Sequence, residues 1–334
     1  MKRIIALLLG LSLVFTASFA FAETKVSIQH VNSTSSSWQE GLNEMVEIVN
    51  ATAGSDYKLE LYGNGVLCQK DPDIMMEMLQ SGAGQLCLES LTTLVSIVPE
   101  LFGINMPFLF QDADHLTRFI NSDAEIIQLW KAKFEENGLV MLGIIPRDFR
   151  QLSNKSQFIK TPQDIAGLKY RVPNNPWYVK TFEAFGAKPV PISSSEIYTA
   201  IQLGTVVGED NSLPVVYDWK FYEVEPYMTV WNYMGDATIL FANKDFWEGL
   251  SAESQEMFLS AGQVALNKIV EIDARYAVEA QEAMEAAGVS FYYMTEEEKD
   301  AFRALVAPVY DEFAAEIGEE EWNLLMDAVE ATRE

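Results

Sequence analysis

Residues 167–176 read GLKYRVPNNP. Residues 168–172 have the character of a short strand, and Pro173 ends it because proline cannot donate to a ladder. A charged side chain inside a strand buried on both faces would be costly. Arg171 avoids that cost by standing at the strand's carboxyl end, the place where open α/β sheets bind ligands. The chain has eight arginines, and Arg147, Arg150 and Arg171 fall within 25 residues of one another. Either they are surface positions beside acidic neighbours, or they form an anion site.

Outward from this stretch, short apolar strands alternate with amphipathic helices, the pattern of an α/β protein. Upstream, strands are expected at 25–30, 58–62, 85–88 and 139–145. Helices are expected over 38–49, 73–80 and, as one segment, 116–137. Thr161-Pro162-Gln163-Asp164 carries a helix start, and Ser193-Ser194-Ser195-Glu196 reads as a capping box opening a helix that stops at Gly204. A short strand is expected at 205–207, a return strand at 238–242, and a further strand with helices after Gly288. Residues 251–287 stay helical without a proline, over about 50 Å at 1.5 Å per residue. A helix of that length is expected to brace two lobes.

Polar groups recur where strands end. His30 ends the first strand, Glu89 follows the third, Arg150 follows 139–145 by a few residues, and Asn211 closes the turn after 205–207. An arginine fork matches a carboxylate with two parallel hydrogen bonds.

The N-terminus has the form of a secretory signal peptide. Lys2 and Arg3 precede an apolar run, and Ala20-Phe21-Ala22 gives a small-x-small cleavage pattern before Glu23. Its removal takes two bases and no acids, so a net charge of −26 becomes −28. Such a charge argues against nucleic acid or anionic lipid as a partner. An anionic ligand then requires a local basic cluster in a cleft. Cys68 and Cys87 either pair in an oxidising compartment or remain buried thiols. His115, at a helix start, is expected to be solvated.

An exported enzyme acting on a carboxylate is the competing class. With His30 and His115 the only histidines, and with no G-x-S-x-G, H-E-x-x-H, P-loop or paired C-x-x-C, no catalytic, metal or cofactor motif supports it.

The stretch GLKYRVPNNPWYVKTFEAFGAKPVPISSSEIYTAIQLGTVVGEDN resembles the signature region of the TRAP transporter solute-binding proteins, the DctP-like receptors of tripartite ATP-independent periplasmic transporters. CLES at 87–90, INMPFLF at 104–110, RQLSNK at 150–155 and FYEVEPYM at 221–228 extend the resemblance over the mature chain. It implies a non-catalytic periplasmic receptor. The fold would be α/β, two-lobed and of the type II-like periplasmic-binding-protein class, with mixed sheets flanked by helices. Lobe I would comprise 23–147 plus about 236–275, and lobe II 148–235 plus about 276–334. The receptor would close on an organic acid and deliver it to an ion-gradient-driven membrane permease. The alternative is a receptor serving a sensor or another transporter. The resemblance assigns the main carboxylate salt bridge to Arg171, further contacts to Arg150 and Asn211, and a ligand hydroxyl, amine or water to Glu89. Trp38, Trp231 and Tyr233 are expected to tune specificity, with core packing as the other reading. One departure is Val207, where the family usually carries aspartate in G-x-V-D-G.

Overall fold

The computed structural model describes residues 24–52 and 56–333. The expected signal peptide lies outside the described residues.

Nine strands form one hydrogen-bonded sheet: β1 (Thr24–Gln29), β2 (Tyr57–Tyr62), β3 (Leu86–Ser90), β4 (Leu139–Asn154), β5 (Lys169–Val172), β6 (Lys188–Pro191), β7 (Gly208–Asn211), β8 (Tyr227–Asn243) and β9 (Ser290–Tyr293). Their order is β2-β1-β3-β8-β4-β7-β5-β6, with β9 added to β8. Two long antiparallel strands join the halves. The C-terminal half of β8 pairs with β3 and the start of β4, while its N-terminal half pairs with β9 and the end of β4. Parallel pairs β1–β2 and β1–β3 complete one half, and β5–β6 and β5–β7 the other. The mixed sheets expected of two lobes are therefore continuous through β4 and β8.

Both long strands outrun their sequence reading, which stopped at residue 145 and began at 238. The register of β4 against β8 shifts between Arg147 and Arg150 and again between Arg150 and Leu152. Such irregularities bend a strand and re-aim its side chains. They interrupt the alternation that marks a strand in sequence, and they lie at the arginines.

Helix Ala252–Ala286 does brace both halves. Phe258, Ala261, Ala265, Leu266 and Ile269 pack with Trp38, Met45 and Leu240, whereas Met284 joins a separate cluster with Ile197, Ile201 and Val216. Gly41 lies against this helix so closely that a Cβ would stand 2.7 Å from the Ala265 carbonyl oxygen.

Other expectations need correction. The segment 116–137 is two helices, Ala113–Ile120 and Glu125–Glu136, because Asn121 caps the first. Ser193 makes no capping bond, and Ser194–Glu196 is a 3-10 turn before helix Ile197–Gln202. The strand placed at 205–207 is instead Gly208–Asn211, so Asn211 lies within it. Gly208 opens this strand where there is no room for a side chain: a Cβ there would meet the Ser153 carbonyl oxygen at 2.2 Å. Val207 sits just before the strand, its N–H bonded to Lys169 O and its carbonyl accepting from Lys155 N. His115 is buried, not solvated: its Nδ1 accepts from Gln111 N–H at 3.2 Å and its Nε2 donates to Val329 O at 2.9 Å. The last helix, Glu319–Ala331, covers it. Both cysteines are free and buried.

Candidate ligand-binding site

A cleft of about 410 Å³ opens between the two halves. From one side it is lined by residues of and after β3, by Trp38 and by Arg147. From the other come Arg150, Arg171, Asn211 and the Pro191–Ser194 segment. Thr92 and Tyr178 hydroxyls meet across it at 3.2 Å, and Asn175 Nδ2 reaches Thr92 O at 3.4 Å.

The three arginines converge here, each in a different state. Arg150 is 3 % exposed; its Nε donates to Asp210 Oδ2 at 2.5 Å and its Nη2 to Asp210 O at 2.6 Å. Its guanidinium also stacks over the Tyr178 ring, 5.2 Å from the centroid. Arg147 donates to Asp236 Oδ2 at 3.2 Å and lies over the Trp38 ring at 5.3 Å.

Arg171, 4 % exposed, is held through Nε, which donates to Ile192 O at 2.8 Å. Its nearest carboxylate is Glu209, with 3.9 Å between Nη1 and Oε2, beyond hydrogen-bonding reach. Glu209 Oε2 instead accepts from Asn211 Nδ2 at 2.7 Å. Burial lowers the Arg171 pKa to about 10, against the opposing pull of Glu209, so the side chain stays cationic at neutral pH.

The carboxylates are poised by burial. Desolvation raises Glu89 to about 7, against the Ser90 N–H that bonds its Oε1 at 2.7 Å and the nearby charge of Arg147. Its Oε2 is buried without a partner. Burial raises Glu209 too, opposed by Arg171. Glu225, which accepts from the Ser153 hydroxyl, is pushed well above the carboxylate range by burial and by Glu209.

Of the residues singled out in the sequence, Arg171, Arg150, Asn211, Glu89 and Trp38 line the cleft. His30, Trp231 and Tyr233 do not. His30 turns away to Gln39 Oε1 at 3.1 Å, and burial lowers its pKa to about 4. Trp231 and Tyr233 stack on each other at 4.2 Å inside the core, because the register shifts around Arg150 turn this part of β8 inward. Tyr233 serves the site indirectly, donating to Asp210 Oδ2 at 2.7 Å. Arg147, grouped in the sequence with Arg150 and Arg171 but given no ligand contact by the resemblance, also lines the cleft; sequence reasoning missed Asp210 and Asp236 as partners of the arginines. The acid pair Glu209-Asp210 beside Asn211 was the available signal for Asp210; Asp236 carried none. Among the described residues, no group of three or more His, Cys, Asp or Glu is arranged to hold a metal ion.

The profile of the bacterial extracellular solute-binding proteins of family 7, DctP, matches residues 28–317. The chain belongs to this family. A relative in this DctP family is the ectoine/5-hydroxyectoine-binding periplasmic protein UehA of Ruegeria pomeroyi, 30 % identical over 91 % of this chain and 86 % of that protein. Another is the C4-dicarboxylate-binding periplasmic protein DctP of Rhodobacter capsulatus, 28 % identical over 96 % of each. Among solved structures, a TRAP periplasmic solute-binding protein of Chromohalobacter salexigens with bound D-glucuronate superposes with a TM-score of 0.86, at 25 % identity, over 92 % of this chain and 99 % of that one. The protein is thus a DctP-family receptor with the two-lobed α/β fold, and not an enzyme. Among the described residues, no helix is long and apolar enough to cross a membrane.

Proposed function

We propose that this receptor is exported to the periplasm, captures an organic acid between its lobes through a salt bridge from Arg171, and hands the closed complex to a TRAP membrane permease. The observation that carries the reading is Arg171 itself. It is a buried cation at a strand end in the cleft, held by one backbone bond and without a hydrogen-bonded carboxylate. Charge-assisted hydrogen bonds to such a group contribute about 1.5–3 kcal/mol each, a large share of the roughly 8 kcal/mol of a micromolar complex. Asn211 and Arg150 supply further donors, Glu89 takes a ligand hydroxyl, amine or water, and Trp38 forms a wall. The names of the relatives, which bind ectoine, C4-dicarboxylates and glucuronate, support the ligand class.

The hinge of this reading lies where β4 and β8 cross between the lobes, at 147/148 and 235/236. Closure there completes contacts from both sides and forms the surface a permease reads. By its contacts with His115, the last helix belongs with lobe I.

The test is a thermal-shift screen of the mature protein against organic acids. A ligand at 100 times its Kd adds about 2.7 kcal/mol. The shift should vanish in Arg171→Ala and nearly vanish in Arg171→Lys, which lacks the fork. Wild-type affinity in either variant would sink the assignment.

A further inference from the structure

Three guanidiniums line the cleft, but two are already neutralised by fixed carboxylates. Arg150 is held at two atoms by Asp210, whose Oδ2 is also pinned by the Tyr233 hydroxyl. Arg147 is paired with Asp236. That carboxylate is locked in turn by the Ser90 hydroxyl at 3.1 Å, the Thr92 hydroxyl at 3.4 Å and the Ala237 N–H at 2.9 Å. Neither aspartate can swing away without breaking a buried ion pair, which is strongly destabilising; the 3.8 Å from Arg150 Nη1 to Asp236 Oδ2 is too long to replace the Asp210 bonds. Only Arg171, its Glu209 neighbour occupied by Asn211, has a fork to offer.

The facing lobe presents the opposite chemistry. Glu89 extends from β3, 3 % exposed, with Oε1 used by the Ser90 N–H and the Thr93 hydroxyl and with Oε2 unpartnered. Among the described residues no basic group is within ion-pair distance of it, and the one nearby, Arg147, is committed to Asp236. Asp71, Asp73 and Glu196 add further acid to the lining. A second ligand carboxylate at that end would meet acids and no spare cation. An N–H or O–H there would satisfy a buried acceptor that otherwise has no partner.

We infer that the cleft selects a monocarboxylate carrying an N–H or O–H donor at its far end, with Glu89 as the specificity-determining acceptor, and discriminates against dicarboxylates. This rests on the organic-acid reading above. Trp38, Trp219, Phe221 and Val215 add apolar and aromatic surface to the lining and bring no charge that could compensate a second anion.

Matched pairs of acids separate the possibilities in calorimetric titrations: 4-aminobutyrate against succinate, and D-glucuronate against D-glucarate. In the pair that binds, the donor-bearing monoacid should bind at least tenfold tighter than its diacid partner. Glu89→Gln, with its melting temperature measured alongside, should erode that ratio about tenfold, since an amide also accommodates a carboxylate. A diacid bound as tightly as its partner, or a ratio unchanged in Glu89→Gln, overturns the inference while leaving the receptor reading intact. If neither the four acids nor any acid of the thermal-shift screen binds the wild type, the organic-acid reading falls, and this inference with it.

Discussion

Asp210 Oδ2 accepts both the Arg150 Nε–H, at 2.5 Å, and the Tyr233 hydroxyl, at 2.7 Å. One carboxylate oxygen thus ties the lining arginine to the aromatic core. Asp210→Ala would leave the buried guanidinium only the longer contact to Asp236 Oδ2, at 3.8 Å, and breaking a buried pair costs about 3–5 kcal/mol. The variant should melt far below wild type, and Tyr233→Phe should cost about 1 kcal/mol, one hydrogen bond. Equal melting of wild type and Asp210→Ala would show that Arg150 does not depend on this partner.

Ligand-free stability should fall as pH rises toward neutrality. Glu89 has a folded pKa of about 7 against 4.5 when unfolded, so between those values the folded state binds more protons. Its contribution is full below the unfolded pKa and lost as pH rises through the folded one. Glu209 acts in the same direction. Asp148, raised by burial to about 6, does so at lower pH. His30, lowered to about 4 from 6.5, opposes them, but only through its unfolded-state protonation, which is half lost at pH 6.5 and fades above it. Above pH 6.5 the carboxyls therefore outweigh it, with a slope of at most about 1.4 kcal/mol per pH unit for each. Melting temperatures at pH 6.5, 7.0 and 7.5 should decline in wild type and decline less in Glu89→Gln. A flat or rising profile would refute the assignment.

Gly208→Ala should be among the most damaging single-methyl changes. The new Cβ would lie 2.2 Å from the Ser153 carbonyl oxygen and 2.7 Å from the Tyr170 ring, both fixed within the sheet. Opening β7 from β4 displaces Asp210 and Asn211 together. We expect a loss of about 3 kcal/mol, the upper range of overpacking, with weakened ligand binding. Chemical denaturation measures the first and calorimetry the second.

The two thiols should be inert in the folded protein. Cys87 is fully buried and its thiol is pushed well above its usual range by desolvation; Cys68 is buried beside the Gly65 carbonyl. A thiol reagent should label neither until denaturant is added, and then both. Rapid labelling of the native protein would contradict the packing of this lobe.

By itself, the sequence determined the local chemistry. Proline after Arg171 ends a strand, the 251–287 periodicity makes one long helix, and the run of polar strand ends marks a crevice, because these depend on neighbours in the chain. The tertiary structure alone decided which of those groups face the crevice. Arg147 and Arg150 are three residues apart in one strand, and a register shift in the β4–β8 pairing separates them. Asp236 meets Arg147 across 89 residues of chain. His30, Trp231 and Tyr233 look like their neighbours in sequence, yet packing turns them inward. His115 is covered by a helix more than 200 residues away. Register, burial and ion pairing are set by contacts between distant segments, and a local pattern carries no record of them.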